Sequence, residues 1–189
     1  MADLPQLASR RLLLRQMTLS DADDVQRLAG DRAVAETAAL IPHPYEDGEA
    51  ERWIKSQAHD RDSGAGAVWA ILRREDELFV GAVGLAINRD CQHAELGYWI
   101  GVPYWNNGYV TEACRLVLDY AFNDRKLHRV LAHHFSTNTA SGRVMQKLGM
   151  TYEGTLREHF CKWGRFVDCV YYGILRDEYF ANQTSTPSS

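Results

Sequence analysis

The 189-residue sequence has no CxxC pair and no other cysteine–histidine spacing of a structural zinc site. Its four cysteines, Cys91, Cys114, Cys161 and Cys169, are therefore expected to be free thiols, and no bound metal is expected. No run approaches the ~20 apolar residues that span a bilayer. The start, MADLPQLASRR, lacks the apolar centre of a signal peptide, so a cytoplasmic location without a membrane partner is expected. Charge of neither sign dominates: 21 Lys and Arg against 25 Asp and Glu give a net charge of -4. That balance excludes a global pull toward nucleic acid. A GxxxxGK[ST] loop is also missing, which argues against ATP held by a phosphate-binding lysine.

What is present suits one globular unit. Hydrophobic residues make up 46% and charged residues 24%, a balance that can bury a core. The length fits a single domain, expected over residues 1–181, with a polar tail at 182–189 expected to be disordered. Arg11 to Arg15 reads as a strand, Leu19 to Leu28 as a helix, 30–45 as irregular, and Asp47 to Arg61 as a second helix. Three β-prone runs follow, Val68 to Arg73, Leu78 to Ile87 and Ala94 to Val102, an antiparallel meander. Gly108 to Asn123 reads as a long amphipathic helix, Arg129 to Phe135 as a strand and Ala140 to Leu148 as a short helix. Tyr152 to Arg157 and Phe166 to Leu175 close the pattern as strands. This order predicts an α/β (α+β) fold, a sheet covered by helices on its faces.

The segment Trp105-Asn106-Asn107-Gly108-Tyr109-Val110-Thr111-Glu112-Ala113 carries the most chemistry. It follows a predicted strand, and Gly108 permits close backbone approach where a long helix starts. A helix N-terminus offers unpaired N–H donors and a partial positive charge, so it can hold phosphates without lysine. The same residues also read as a simple strand-to-helix turn.

Position and neighbours decide between the two. The turn resembles the Gln/Arg-x-x-Gly-x-Gly/Ala signature of GNAT-superfamily N-acetyltransferases, with Trp105 at the Gln/Arg position and Val110 at the last small one. The likeness covers roughly Ser9 to Tyr179, through AELGYWI, LHRV, NTASGRVMQKLGMTYEGTLRE and GRFVDCVYYGILRDEY. It is strongest to the ribosomal-protein N-terminal serine/alanine acetyltransferase branch. The resemblance implies a mixed, mostly antiparallel sheet of about six to seven strands flanked by about four helices. It also implies an acetyl-CoA cofactor and a central strand splayed from its neighbour. Trp99, Ile100 and Val102 would then lie beside the coenzyme, and Asn106, Asn107, Gly108, Tyr109, Val110 and Thr111 would hold its pyrophosphate.

Acetyl transfer to an amine needs a proton acceptor, a polarised carbonyl and relief of the departing thiolate. Alternation places Glu95, Gly97 and Trp99 on one face of their strand and Leu96, Tyr98 and Ile100 on the other. Glu95 reads either as a salt-bridged or solvent-facing glutamate or as a base raised in pKa by apolar surroundings; the resemblance favours the base. Asn138 is a helix-capping residue type, and by resemblance it also binds the pantetheine arm. Ser141 reads as a surface serine or as the thiolate's proton donor, because Met145 stands where many relatives carry a tyrosine acid. His43, Tyr45 and Trp163 are candidates for the acceptor pocket, with Arg165 and Asp168 nearby. The histidines show no metal spacing, and adjacent His133 and His134 must face opposite ways. No cysteine has an evident histidine partner, so direct transfer in a ternary complex is expected. The acceptor is a protein N-terminus or a small-molecule amine, and the protein a monomer or homodimer. The other reading is a non-catalytic acyl-CoA-binding sensor, suggested by the departures at Trp105, Val110 and Met145.

Overall fold

The computed structural model describes residues 4–184. In chain order it contains strands β1 (Leu7–Ala8) and β2 (Leu12–Gln16), helices α1 (Ala22–Ala29), α2 (Arg32–Thr37) and α3 (Glu49–Ser63), and a meander of β3 (Gly66–Arg73), β4 (Phe79–Asn88) and β5 (His93–Ile100). Then follow α4 (Tyr109–Asp119), β6 (Arg129–Phe135), α5 (Thr139–Lys147), β7 (Thr151–Lys162), β8 (Arg165–Leu175) and α6 (Arg176–Thr184). All strands join one sheet in the order β1-β2-β3-β4-β5-β6-β8-β7. Every pairing is antiparallel except that of β5 with β6.

The mixed fold agrees with the expected architecture, and the differences have local causes. α2 lies in the stretch expected to be irregular; the Asp31 side chain caps it by accepting from Ala33 N–H at 2.8 Å. The third strand of the meander ends at Ile100, and Val102–Tyr104 form a 3-10 turn instead, as befits a segment with proline at its second position. α4 ends at Asp119 and passes into a wider π turn over Tyr120–Asp124. The two closing strands are longer than expected. Asn182–Thr184 belong to α6 and not to the expected disordered tail; residues 185–189 lie outside the described part.

The sheet divides two apolar layers. Ala113, Cys114, Val117 and Leu118 line one stripe of α4 and pack on Leu96, Ile100 and Val130. On the opposite side, Val25 and Leu28 of α1 and Ile54 of α3 pack on Ala70, Phe79 and Ala82. Burial of each large aliphatic side chain contributes about 1.5–3 kcal/mol. Together the two layers hold β5 as a fixed central strand. No helix among the described residues is long and apolar enough to cross a membrane.

Candidate active site

β5 pairs with β4 along its whole length, from Asn88↔His93 to Gly81↔Ile100. With β6 it pairs only at His93↔Arg129, Ala94↔Val130 and Glu95↔Leu131. Beyond Glu95 the two strands part, as the family resemblance implied, and main-chain groups that would have bonded across a sheet are left to other partners. The side chains of β5 alternate across this gap. Tyr98 and Ile100 face the α4 layer, whereas Trp99 faces the α1–α3 layer beside Trp53 and Phe79, with ring centroids 6.4 and 5.9 Å apart.

α4 starts just past the end of β5. Gly108, at φ +76°, is its N-cap and supplies no side-chain cap. The first bond running into the helix is Glu112 N–H to Gly108 C=O at 3.1 Å, so the amides of Tyr109, Val110 and Thr111 point out of the helix end. Val110 is half-buried and Thr111 buried against the core; what they can offer a ligand is their amides. Asn106 has φ +62°, and the Asn107 side chain bonds the Tyr104 and Trp105 carbonyls at 3.2 and 3.0 Å. Arg11 bonds Glu112 at 2.7 Å and the Asn107 carbonyl at 3.1 Å, and stacks over Tyr109. Arg11, Arg115 and Lys147 help line a shallow cleft of about 410 Å³ at this helix end. Trp105 Nε1 donates to the Ile100 carbonyl at 2.7 Å, tying the turn to the strand it follows.

On the α4 side of the gap, Asn138 caps α5 by accepting from Ser141 N–H at 3.2 Å. The Ser141 hydroxyl lies 2.6 Å from the Tyr98 hydroxyl. Burial pushes the Tyr98 phenol well above its ordinary range. α5 can approach this closely because it carries Gly142, where a Cβ would stand 2.8 Å from His134 Nε2. Cys114 is fully buried nearby, and burial drives its thiol far upward, against a nucleophilic role.

On the α1–α3 side stands Glu95, and here the expected raised pKa is corrected. His133 Nδ1 lies 2.8 Å from Glu95 Oε1, and this neighbour holds the carboxyl below its ordinary range against the opposing effect of burial. The two atoms are within ion-pair distance, but the N–H direction of Nδ1 is not aligned on the carboxylate. His133 in turn stacks on Tyr171 at 5.2 Å. Between Glu95 and Trp99, Gly97 is exposed, and a Cβ added there would meet nothing within 4 Å.

Of the expected acceptor-pocket residues, the structure brings His43 and Trp163 together, with ring centroids 5.8 Å apart. Tyr45 packs against the same apolar layer as Trp99. Burial, then the charges of Glu49 and Glu51, push its hydroxyl up to about 12. Asp168 serves the closing hairpin, accepting from Glu158 N–H at 2.8 Å.

Comparison with known proteins now settles the family: residues 11–151 match the acetyltransferase (GNAT) domain. The chain belongs to the GNAT acetyltransferases. It is 31% identical over 173 residues to the uncharacterized N-acetyltransferase YoaA of Bacillus subtilis (strain 168), covering 91% of this chain and 97% of that protein. Over a shorter stretch of 75 residues, 40% of this chain and 39% of its relative, it is 29% identical to the ribosomal protein uS5-alanine N-acetyltransferase of Escherichia coli (strain K12). Among solved structures, the spermidine N-acetyltransferase from Vibrio cholerae in complex with CoA and spermine superposes with a TM-score of 0.79 at 25% identity, covering 91% of this chain and 99% of that one.

GNAT acetyltransferases use acetyl-CoA, and the features of this chain suit it. The uncapped α4 N-terminus with its cationic cleft matches two linked phosphates, and the gap beside β5 offers main-chain partners to an amide-bearing arm. Two residues escaped the sequence reading. Tyr98 was placed on the correct face, but its partner Ser141 lies 43 positions away. His133 was seen only as a residue facing away from His134, because nothing local reveals which carboxylate a neighbouring strand brings to it.

Proposed function

We propose that this GNAT enzyme transfers acetyl from acetyl-CoA directly to a primary amine, of a protein N-terminus or a small molecule, within a ternary complex. One observation carries the proposal: the gap in the sheet has a carboxylate–imidazole pair on one face, Glu95 with His133, and a hydroxyl pair on the other, Tyr98 with Ser141. Acetyl-CoA supplies the activated thioester. The amides at the start of α4 hold the pyrophosphate, and Asn138 and the free edge of β5 hold the arm that reaches the gap.

Glu95 faces the acceptor as a carboxylate at neutral pH. It attracts the ammonium; once that has lost one proton to solvent, the neutral amine bonds the carbonyl carbon, the nitrogen grows more acidic, and Glu95 takes the second proton, directly or through water. A weak base suffices late in such a step. When the C–S bond breaks, the Ser141 hydroxyl gives its proton to the thiolate, and the Tyr98 hydroxyl backs the serine. Main-chain amides at the gap polarise the carbonyl. Gly97 leaves the passage for the amine open, with His43, Tyr45 and Trp163 around its entrance.

The deciding experiment measures thiol release from acetyl-CoA against peptides with free N-termini, polyamines and aminoglycosides, followed by initial-velocity analysis. Intersecting lines are expected. Parallel lines would require an acetylated enzyme and overturn direct transfer. Coenzyme binding with no release for any amine would leave the sensor reading in its place.

A further inference from the structure

Lys162 is one of the few charged side chains that the fold buries, only 9% exposed. It ends β7, immediately before the two-residue turn Trp163–Gly164, whose φ angles of +50° and +76° give a tight, twist-matched hairpin. Its ammonium donates to three main-chain carbonyls of one distant segment: Ala38 at 2.8 Å, Ala39 at 3.4 Å and Ile41 at 2.7 Å. A lysine has three N–H donors, and all three are used. Among the described residues no carboxylate lies within ion-pair distance of it. Its hydrogen bonds all go to the segment 38–41, and the ammonium also stands over the Trp163 ring at 5.1 Å.

That segment begins the connection from α2 to α3, residues 38–48, which has contacts toward both β5 and the closing hairpin. At its start, Thr37 C=O accepts from the Asn138 side chain at 3.4 Å, at the cap of α5. Further on, His43 meets Trp163, itself under Arg32 at 5.7 Å. Tyr45 C=O accepts from Gln26 of α1 at 2.8 Å, and Ile41 and Tyr45 pack in the layer that holds Trp99. The strap thus reaches from the β5 side of the gap to the hairpin beyond β6. Its firmest tie to the hairpin is Lys162.

We infer that Lys162 is a positioning residue for the amine acceptor: by gathering the carbonyls of 38, 39 and 41 it holds the strap over the acceptor side of the gap. This rests on the acceptor side being the α1–α3 face, as proposed above. Lys162 acts through the strap and does not touch the reacting atoms.

The test uses the full chain with K162M, which keeps an unbranched apolar stem and removes the charge, and K162R, which keeps the charge, and with it a cation for the Trp163 ring, in a planar fork that cannot serve all three carbonyls. Hydrogen exchange of residues 38–45 is followed with acetyl-CoA bound, beside acceptor KM, kcat and coenzyme affinity. K162M should lose protection in 38–45 and raise acceptor KM by roughly tenfold or more, with coenzyme affinity unchanged and K162R in between. Unchanged protection and KM in K162M would overturn the inference. So would a loss of protection spread evenly over the sheet with equal loss of coenzyme binding, which would make Lys162 a general stabiliser. Should K162M fail to fold, K162R alone decides by the same two readouts. Absence of turnover with every amine in the wild-type protein refutes the transfer reading, while the exchange pattern still decides the strap.

Discussion

Glu95 and His133 meet across the place where the sheet comes apart: Oε1 and Nδ1 are 2.8 Å apart, just past the final paired positions Glu95↔Leu131. His133 lies two residues beyond Leu131, hence on the same face as Glu95. Strand parting thus creates the space, and the pair closes one side of it.

Glu95→Gln should lower kcat/KM for the amine by about 10²- to 10⁴-fold with little change in coenzyme affinity. The pH profile tests the pair more sharply. Because His133 holds the Glu95 carboxyl low, the acid limb of kcat/KM should fall below the ordinary carboxylate range, and His133→Gln should move it upward. The linked stability has the matching sign: a lowered carboxyl stabilises the fold at neutral pH, and that share is lost as pH falls through its folded value. An acid limb that stays put in His133→Gln would refute the coupling.

Tyr98→Phe and Ser141→Ala each break the 2.6 Å hydroxyl pair. Each should reduce kcat by at least about tenfold, and the double variant should lose little more than the worse single one, because the two hydroxyls act as one unit. Multiplicative losses in steady-state rates would show that they act separately.

Gly108→Ala isolates backbone strain. The added Cβ would have room, its nearest neighbour being Arg11 at 3.7 Å, but φ stays at +76°. Urea unfolding should show a loss of about 1–2 kcal/mol, and calorimetry a weaker coenzyme affinity. Full affinity for coenzyme in this variant would count against α4 as the phosphate site.

Gly97→Val asks whether the open space on β5 belongs to the acceptor. Nothing lies within 4 Å of the new Cβ, and valine suits a strand, so stability should hold or rise. Acceptor KM should increase about tenfold or more while coenzyme binding persists. An unaltered KM would place the amine's path elsewhere.

The sequence made the central elements legible for physical reasons. The period-2 pattern of β5 put Tyr98 and Trp99 on their correct opposite faces, and Gly108 marked the helix start by the backbone freedom it alone has. Asn138 announced its cap by residue type. Long-range pairings were not legible. Which carboxylate meets His133 depends on the register of β5 against β6, and which hydroxyl meets Ser141 depends on how closely Gly142 lets α5 approach. Lys162 lies between the two closing strands expected from the sequence and carries no signal there, because its partners are carbonyls, which every residue possesses. α2 was hidden by its shortness, six residues beginning at a single Asp31 cap.

The three-rung contact of β5 with β6 leaves an edge inside the sheet, where a fold would ordinarily finish its hydrogen bonding. An amide-bearing ligand lying along β5, as proposed for the coenzyme, would act there as a substitute strand, completing a ladder the chain does not complete for itself. Because such a ligand favours the folded state by mass action, the melting temperature should climb with coenzyme concentration even in variants that no longer turn over. The protein alone is in that sense an unfinished sheet, and on the proposed reading its cohesion would track the supply of the molecule that completes it.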